Sequence, residues 1–293
     1  MNCEKCDQEN AASASFCTWC GAPLVPVIDH NNIPFRDLGQ LINHTFSLYG
    51  KNFWQFVLIG LPPQILGLLA LLIVPDVPQG FTSDFGSDAA LEAAFEDWAD
   101  AAPAMMLIGL ASALATLIAQ GATIHAVGRQ YLGQEVDVSL SLKRGLSKSL
   151  ILLIATLVAI VGLMASGALI VILIGIPLIV FLIISWAFIF PLIMIEGAGP
   201  ISALSGSYNL VKGSRLRVLG IGIVFVLISF GIQVLISIAT GIVDGVSQPL
   251  ATVLSSFGMA LLAPVMGIGL AVVYFDLRSR KEGMTVNLLA AEM

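Results

Sequence analysis

Charged side chains are scarce. Only 11% of the 293 residues are Asp, Glu, Lys or Arg, against about a quarter in a soluble domain. Hydrophobic residues make up 57%, and the mean hydropathy is +0.95. So few charges cannot cover the surface of a water-soluble fold, so lipid must cover part of it. No cysteine follows Cys20, which excludes a disulfide framework spread over a secreted fold. No long apolar run precedes Phe53, too deep in the chain for a signal peptide. No basic patch with interleaved aromatics occurs, so nucleic acid is not an expected partner. A Ser/His/Asp or Cys/His set, a phosphate-cradling glycine loop and a metal-carboxylate cluster are all missing too. An enzyme is not expected.

What is present is a series of apolar runs. A helix needs about 20 apolar residues to cross a bilayer, and residues 53–74, 104–127, 150–174, 177–195, 218–242 and 250–275 supply six candidates. The third and fourth are fused from Leu150 to Ile195. A single helix over that stretch would run about 69 Å, enough for two crossings. The Gly175-Ile176-Pro177 step is the expected turn, since proline cannot continue a helix and glycine permits the reversal.

Lys and Arg set the orientation. With the N-terminus inside, all 13 basic residues fall on the same side, in the tail before the first span, in 128–149, in 196–217 and in the C-terminal segment. The opposite side has none. The sequence therefore predicts a multi-pass protein of the cell's cytoplasmic (inner) membrane with both termini cytoplasmic. Residues 75–103 then lie outside with Asp76, Asp84, Asp88, Glu92, Glu96, Asp97 and Asp100. Leu91, Phe95 and Trp98 recur there at helical spacing, which predicts a short amphipathic helix along the outer surface. No span carries an ionisable group near its centre, where ion and proton paths are usually marked.

The four cysteines form Cys3-x2-Cys6-x10-Cys17-x2-Cys20. Each C-x-x-C pair can grip one edge of a tetrahedral Zn2+, and the reducing side of the membrane argues against disulfides. Gly21 follows Cys20 where a zinc knuckle needs a positive φ. In the first knuckle Glu4 and Asp7 replace the usual proline and glycine. Four thiolates close the coordination shell, so the metal is expected to be structural. Residues 1–22 read as a zinc ribbon, 23–34 as a flexible linker in which His30 is simply exposed, 35–283 as the membrane domain and 284–293 as a cytoplasmic tail.

Amphipathic segments precede three of the spans: "PFRDLGQLINHTFSLYGK", "VSLSLKRGLSKS" and "GPISALSGSYNLVKGS". Shifted by 162 positions, Phe46 meets Tyr208, Leu48 meets Leu210 and Gly60 meets Gly222. Three repeats of an interfacial helix followed by two spans fit this pattern. Glu196 and Asp276 fall at cytoplasmic span ends and can pair with Arg215, Arg217, Arg278 or Arg280, locking helix ends together.

"MIEGAGPISALSGSYNLVKGSRLRVLG" together with "VVYFDLRSRKEG" resembles the membrane domain attached to some glycerophosphoryl diester phosphodiesterases, and related six-span proteins that carry an N-terminal zinc ribbon. The resemblance spans about residues 35–290. It implies an all-α fold of six transmembrane helices with cytoplasmic interfacial helices, and no activity of its own. The phosphodiesterase barrel that accompanies such domains has no room in this chain. The expected function is that of a non-enzymatic binding or organising membrane protein whose ribbon docks a cytoplasmic protein partner. A transporter or lipid-handling protein with a site between the helices is the alternative.

Overall fold

The computed structural model describes residues 33–73, 88–169 and 175–293 together with Gln8 and Cys20, with backbone alone over 70–73, 88–98 and 100. Eleven helices and no β-strand occur among the described residues. They are α1 (Leu38–Lys51), α2 (Phe53–Ile73), α3 (Asp88–Tyr131), α4 (Val138–Ser147), α5 (Ser149–Ala168), α6 (Gly175–Ser185), α7 (Ile189–Met194), α8 (Pro200–Val211), α9 (Arg215–Asp244), α10 (Gln248–Glu282) and α11 (Val286–Glu292). Five segments are long and apolar enough to cross a membrane: Ala101–Tyr131 of α3, α5, α6 with α7 (Gly175–Met194), α9 and α10. The sixth is reached by α1 and α2 taken together across a bend of 87°. The chain is an all-helical, multi-pass membrane protein.

The helices come in the order short, long, long, three times over. Units one, two and three are α1–α2–α3, α4–α5–α6/α7 and α8–α9–α10. Each short helix packs on the second long helix of another unit: α1 on α10, α4 on α3, α8 on α7. The first long helices obey the same rule, α2 beside α10, α5 beside α3 and α9 beside α6. The second long helices α3, α7 and α10 also touch one another. The result is a closed ring of three units around a central trio.

Local sequence explains the short helices. Asp37 caps α1 by accepting from the Gln40 N–H at 2.8 Å, and the Gln40 side chain answers to the Asp37 N–H, a capping box. Asp137 caps α4 in the same way, accepting from Leu140 N–H at 2.9 Å. Pro200 opens α8 in its first turn, where its missing N–H costs nothing. Their buried faces repeat: Leu41, Thr45 and Leu48 in α1, Ser141 and Gly145 in α4, Ala203, Ser207 and Leu210 in α8. The central position is small each time because backbones approach closely there. At Gly145 an added Cβ would sit 2.5 Å from the Ile118 carbonyl oxygen.

The core is concentrated in the half of the bundle that holds the short helices α1, α4 and α8. Tyr274, Phe275, Phe188, Ile124, Ile193 and Ile268 are among its largest fully buried side chains. From Ala101 to Ile118, by contrast, no residue of α3 is buried. Pro264 removes the N–H that would serve the Ala260 carbonyl, and Gly60 of α2 packs there so closely that an added Cβ would sit 3.0 Å from that oxygen. Tyr49 hydroxyl donates to the neighbouring Leu261 carbonyl at 2.8 Å.

Several boundaries differ from the sequence expectation. The short outer helix is not separate: helix runs unbroken from Asp88 through Pro103 to Tyr131, because the Ala- and Glu-rich stretch before Pro103 is itself strongly helix-forming. Span four is interrupted at Trp186–Phe188, between α6 and α7. Pro191 causes this, since its ring excludes the carbonyl of residue 187 from helical geometry. Helix α10 continues seven residues past 275 to Glu282, because Asp276 and Leu277 are buried against neighbours. Ile33, expected in the linker, is buried. Residues 284–293, expected as a tail, hold α11 with Leu289 fully buried. Gly175, Ile176 and Pro177, expected as the turn, instead form the first turn of α6, where proline is tolerated, and 170–174 lie outside the described residues.

Candidate functional site

The C-terminal ends of α3, α7 and α10 carry most of the polar side chains that the sequence singles out. Asp276 is fully buried there. Its Oδ1 accepts from the Arg36 backbone N–H at 2.8 Å, and its Oδ2 from Arg217 Nη2 and Arg280 Nε, each at 2.9 Å. The same two guanidiniums donate to the Arg36 carbonyl, at 2.7 Å from Arg217 and 2.9 Å from Arg280. Ser279 Oγ donates to the Ile33 carbonyl at 2.5 Å. The stretch 33–36 is thus strapped beneath α9 and α10. Arg36 reaches back to Tyr131 hydroxyl at 3.2 Å, and the Tyr131 ring stacks on Phe275 with centroids 4.4 Å apart.

A second cluster centres on Arg278. Its Nη1 and Nη2 donate to Glu292 at 2.6 and 2.9 Å, its Nε to Glu282 at 2.7 Å, and Nη1 lies 3.3 Å from Glu196. Tyr274 hydroxyl donates to Glu196 at 2.5 Å. Burial pushes the Glu196 carboxyl above its usual range, against the lowering effects of Tyr274 and Arg278. Lys281 donates to the Asn209 carbonyl at 3.3 Å and to the Lys212 carbonyl.

The expected pairing of Glu196 and Asp276 with arginines is therefore present, but in two separate clusters. Arg217 and Arg280 go to Asp276, Arg278 goes to Glu196. Arg215 joins neither: its guanidinium lies over the rings of Phe181 at 4.6 Å and Tyr208 at 4.9 Å. Sequence reasoning missed Arg36, Tyr131 and Glu292. Glu292 carried a signal, as an acid ten residues beyond Glu282 in a helix-forming stretch. The part played by the Arg36 backbone carried none.

The groove between each short helix and the long helix that it packs on differs from one unit to the next. In the groove of α3 and α4, where Ala290 of α11 and the following Met293 form part of the wall, a cavity of about 500 Å3 is lined by His125, Arg129, Lys143, Arg144 and Ser147 among others. His125 Nδ1 lies 3.2 Å from Ser141 Oγ, Arg129 Nε donates to the Glu135 carbonyl at 3.0 Å, and Arg144 Nε is buried without a partner. In the groove of α7 and α8 the cavity is smaller, about 190 Å3, and lined by Glu196, Asn209, Lys281 and Glu282. In the groove of α10 and α1 the corresponding position is His44, edge-on to Tyr131 with centroids 5.6 Å apart. Burial, then Arg36 and Lys51, hold His44 down at about 4, so it is neutral.

Of the proposed zinc ligands, Cys3, Cys6 and Cys17 lie outside the described residues, and Cys20 is exposed. Among the described residues no group of three or more His, Cys, Asp or Glu gathers in a way that could hold a metal. The chain matches no protein-family model, no curated protein and no solved structure.

Proposed function

We propose that the chain is a non-enzymatic organising protein of the cytoplasmic membrane, with six spans and both termini cytoplasmic. Its N-terminal residues Cys3, Cys6, Cys17 and Cys20 hold a structural Zn2+ in a ribbon that docks a cytoplasmic protein partner. The observation that carries this reading is the strap at residues 33–36. The chain just beyond the ribbon is clamped by Asp276, Arg217, Arg280 and Ser279 to the best-packed part of the membrane domain. The 12 intervening residues 21–32 reach at most about 40 Å when extended. A ribbon held so would present its partner within a protein's width of the membrane. The resemblance to membrane domains of glycerophosphoryl diester phosphodiesterases, some of whose relatives carry such a ribbon, supports the same reading.

The test is a comparison of detergent-solubilised full-length protein with Cys17→Ser/Cys20→Ser and with a form lacking residues 1–22. The intact protein should carry one zinc per chain and retain a partner that both altered forms lose. Recovery of the same proteins by all three would sink the docking role. A zinc-free intact protein would sink the ribbon.

The second reading, lipid handling between the helices, draws on the outer half of α3, which buries no residue from 101 to 118. It predicts that lipid co-purifies in stoichiometric amounts and is lost when bulky residues fill that half, as in Gly109→Leu.

A further inference from the structure

The threefold repetition supplies an internal comparison. Aligning the buried faces sets Ser141 with Leu41 and Ala203, and Gly145 with Thr45 and Ser207. Arg144 then corresponds to His44 and Gly206, and Ser147 to Ser47 and Asn209. Arg144 and Ser147 line the large cavity beside α4, Gly206 and Asn209 the small one beside α8. The two cavities thus occupy equivalent places. On the long helices, His125 and Arg129 line the first and Leu192 and Glu196 the second, with the same four-residue spacing.

The fold is therefore built three times, and the chemistry of the groove is different each time. Beside α1 it is filled by His44 against Tyr131. Beside α8 it is small and carries two carboxylates. Beside α4 it is open, with three cations and no side-chain carboxylate in its lining. Where α4 carries Lys143 and Arg144, α1 carries Asn43 and His44 and α8 carries Ser205 and Gly206, so helix packing does not require these two cations. Arg144 Nε is buried without a hydrogen-bond acceptor, a donor that an anion in the cavity can satisfy. Three cations in a site of this size match a phosphate group, which accepts several charge-assisted hydrogen bonds at once. The wall of the cavity is also apolar at Leu140, 43% exposed, and Leu146 of the same helix is 60% exposed. Acyl chains could lie against this face while a headgroup enters the cavity.

We infer that the groove between α3 and α4 is a binding site for a phosphate group, monoester or diester, using Arg129, Lys143 and Arg144. Its source is the headgroup of an anionic lipid or a soluble phosphate, which experiment separates. Full-length protein in detergent is equilibrated with phosphatidylglycerol, phosphatidic acid or phosphatidylcholine, and retained lipid is counted by native mass spectrometry. In parallel, thermal unfolding is followed with inorganic phosphate. The variants are Lys143→Gln, Arg144→Gln and, as a control outside the cavity, Lys212→Gln. Lys143 is exposed, so its replacement leaves folding intact even if Arg144→Gln does not. With a lipid source, the anionic lipids bind in preference to phosphatidylcholine, and Lys143→Gln weakens them about tenfold while Lys212→Gln does not. With a soluble source, inorganic phosphate raises the unfolding temperature of the parent and of Lys212→Gln but not of Lys143→Gln. Equal behaviour of parent and Lys143→Gln in both arms overturns the inference, as does an equal loss in Lys212→Gln.

Discussion

Asp276 has two oxygens and three donors, and each donor comes from a different stretch of chain: Arg36, Arg217 and Arg280. Removing the carboxylate leaves two half-buried guanidiniums and one backbone N–H facing one another without an anion. Asp276→Ala should therefore cost about 3 kcal/mol or more, read as a lower unfolding temperature in detergent and less protein in the membrane. Lys281→Gln, which removes a contact at the exposed rim, should change neither by much. At this scale the sequence was partly legible. Arg280 lies four residues after Asp276, one helical turn on, so that pair follows from spacing alone. The Arg217 contact and the Arg36 backbone were not legible, because they depend on how α9 and the 33–36 segment meet α10. Arg215, two positions before Arg217, has the same charge and goes instead to Phe181 and Tyr208. Only the rotation of α9 decides between them.

The break between α6 and α7 shows how one element completes another. The Phe188 N–H and the Ser185 carbonyl have lost their helical partners at this point, and Ser207 of α8 serves both. Its hydroxyl accepts from Phe188 N–H at 3.1 Å and donates to the Ser185 carbonyl at 2.8 Å. Ser207→Ala should leave both groups buried and unpaired, a loss of about 2 kcal/mol. Ser205→Ala, an exposed neighbour whose hydroxyl returns to its own helix, should be nearly silent in the same unfolding measurement. Pro191 was a visible reason for a kink here. Its exact place was not visible, since Trp186, Ala187 and Phe188 continue an apolar run. The three short helices were legible because each pairs a cap signal with a buried stripe. The extension of α3 was hidden by Pro103, and α11 by its brevity.

At the scale of the whole molecule, three units close into a ring, and that closure explains why burial is concentrated at one end. Short helices wedge between long ones only at that end, so the long helices are held together there and are less covered beyond. The topology proposed above places that end in the cytoplasm, which labelling can check. With a membrane-impermeant maleimide, Ser247→Cys, at the start of α10, should react in intact cells beyond the parent's background. Ser214→Cys, at the start of α9, should react only after permeabilisation. The opposite pattern would invert the topology. Hydropathy made the number of crossings nearly legible. The cyclic packing was not, because apolar faces in a membrane helix do not announce which neighbour they meet.

The strap at residues 33–36 also sets an order on biosynthesis. Its partners at Asp276 and Ser279 lie 240 and 246 residues further along the chain. At translation rates of about 5–20 residues per second, the first helices must wait roughly ten to fifty seconds for α10 to be made. Until then the surface of α1 that will meet α10 has nothing to cover it but lipid or a helper protein. Protection of the 33–36 segment from protease should thus appear abruptly, and only once α10 has been made, a natural reporter of its arrival.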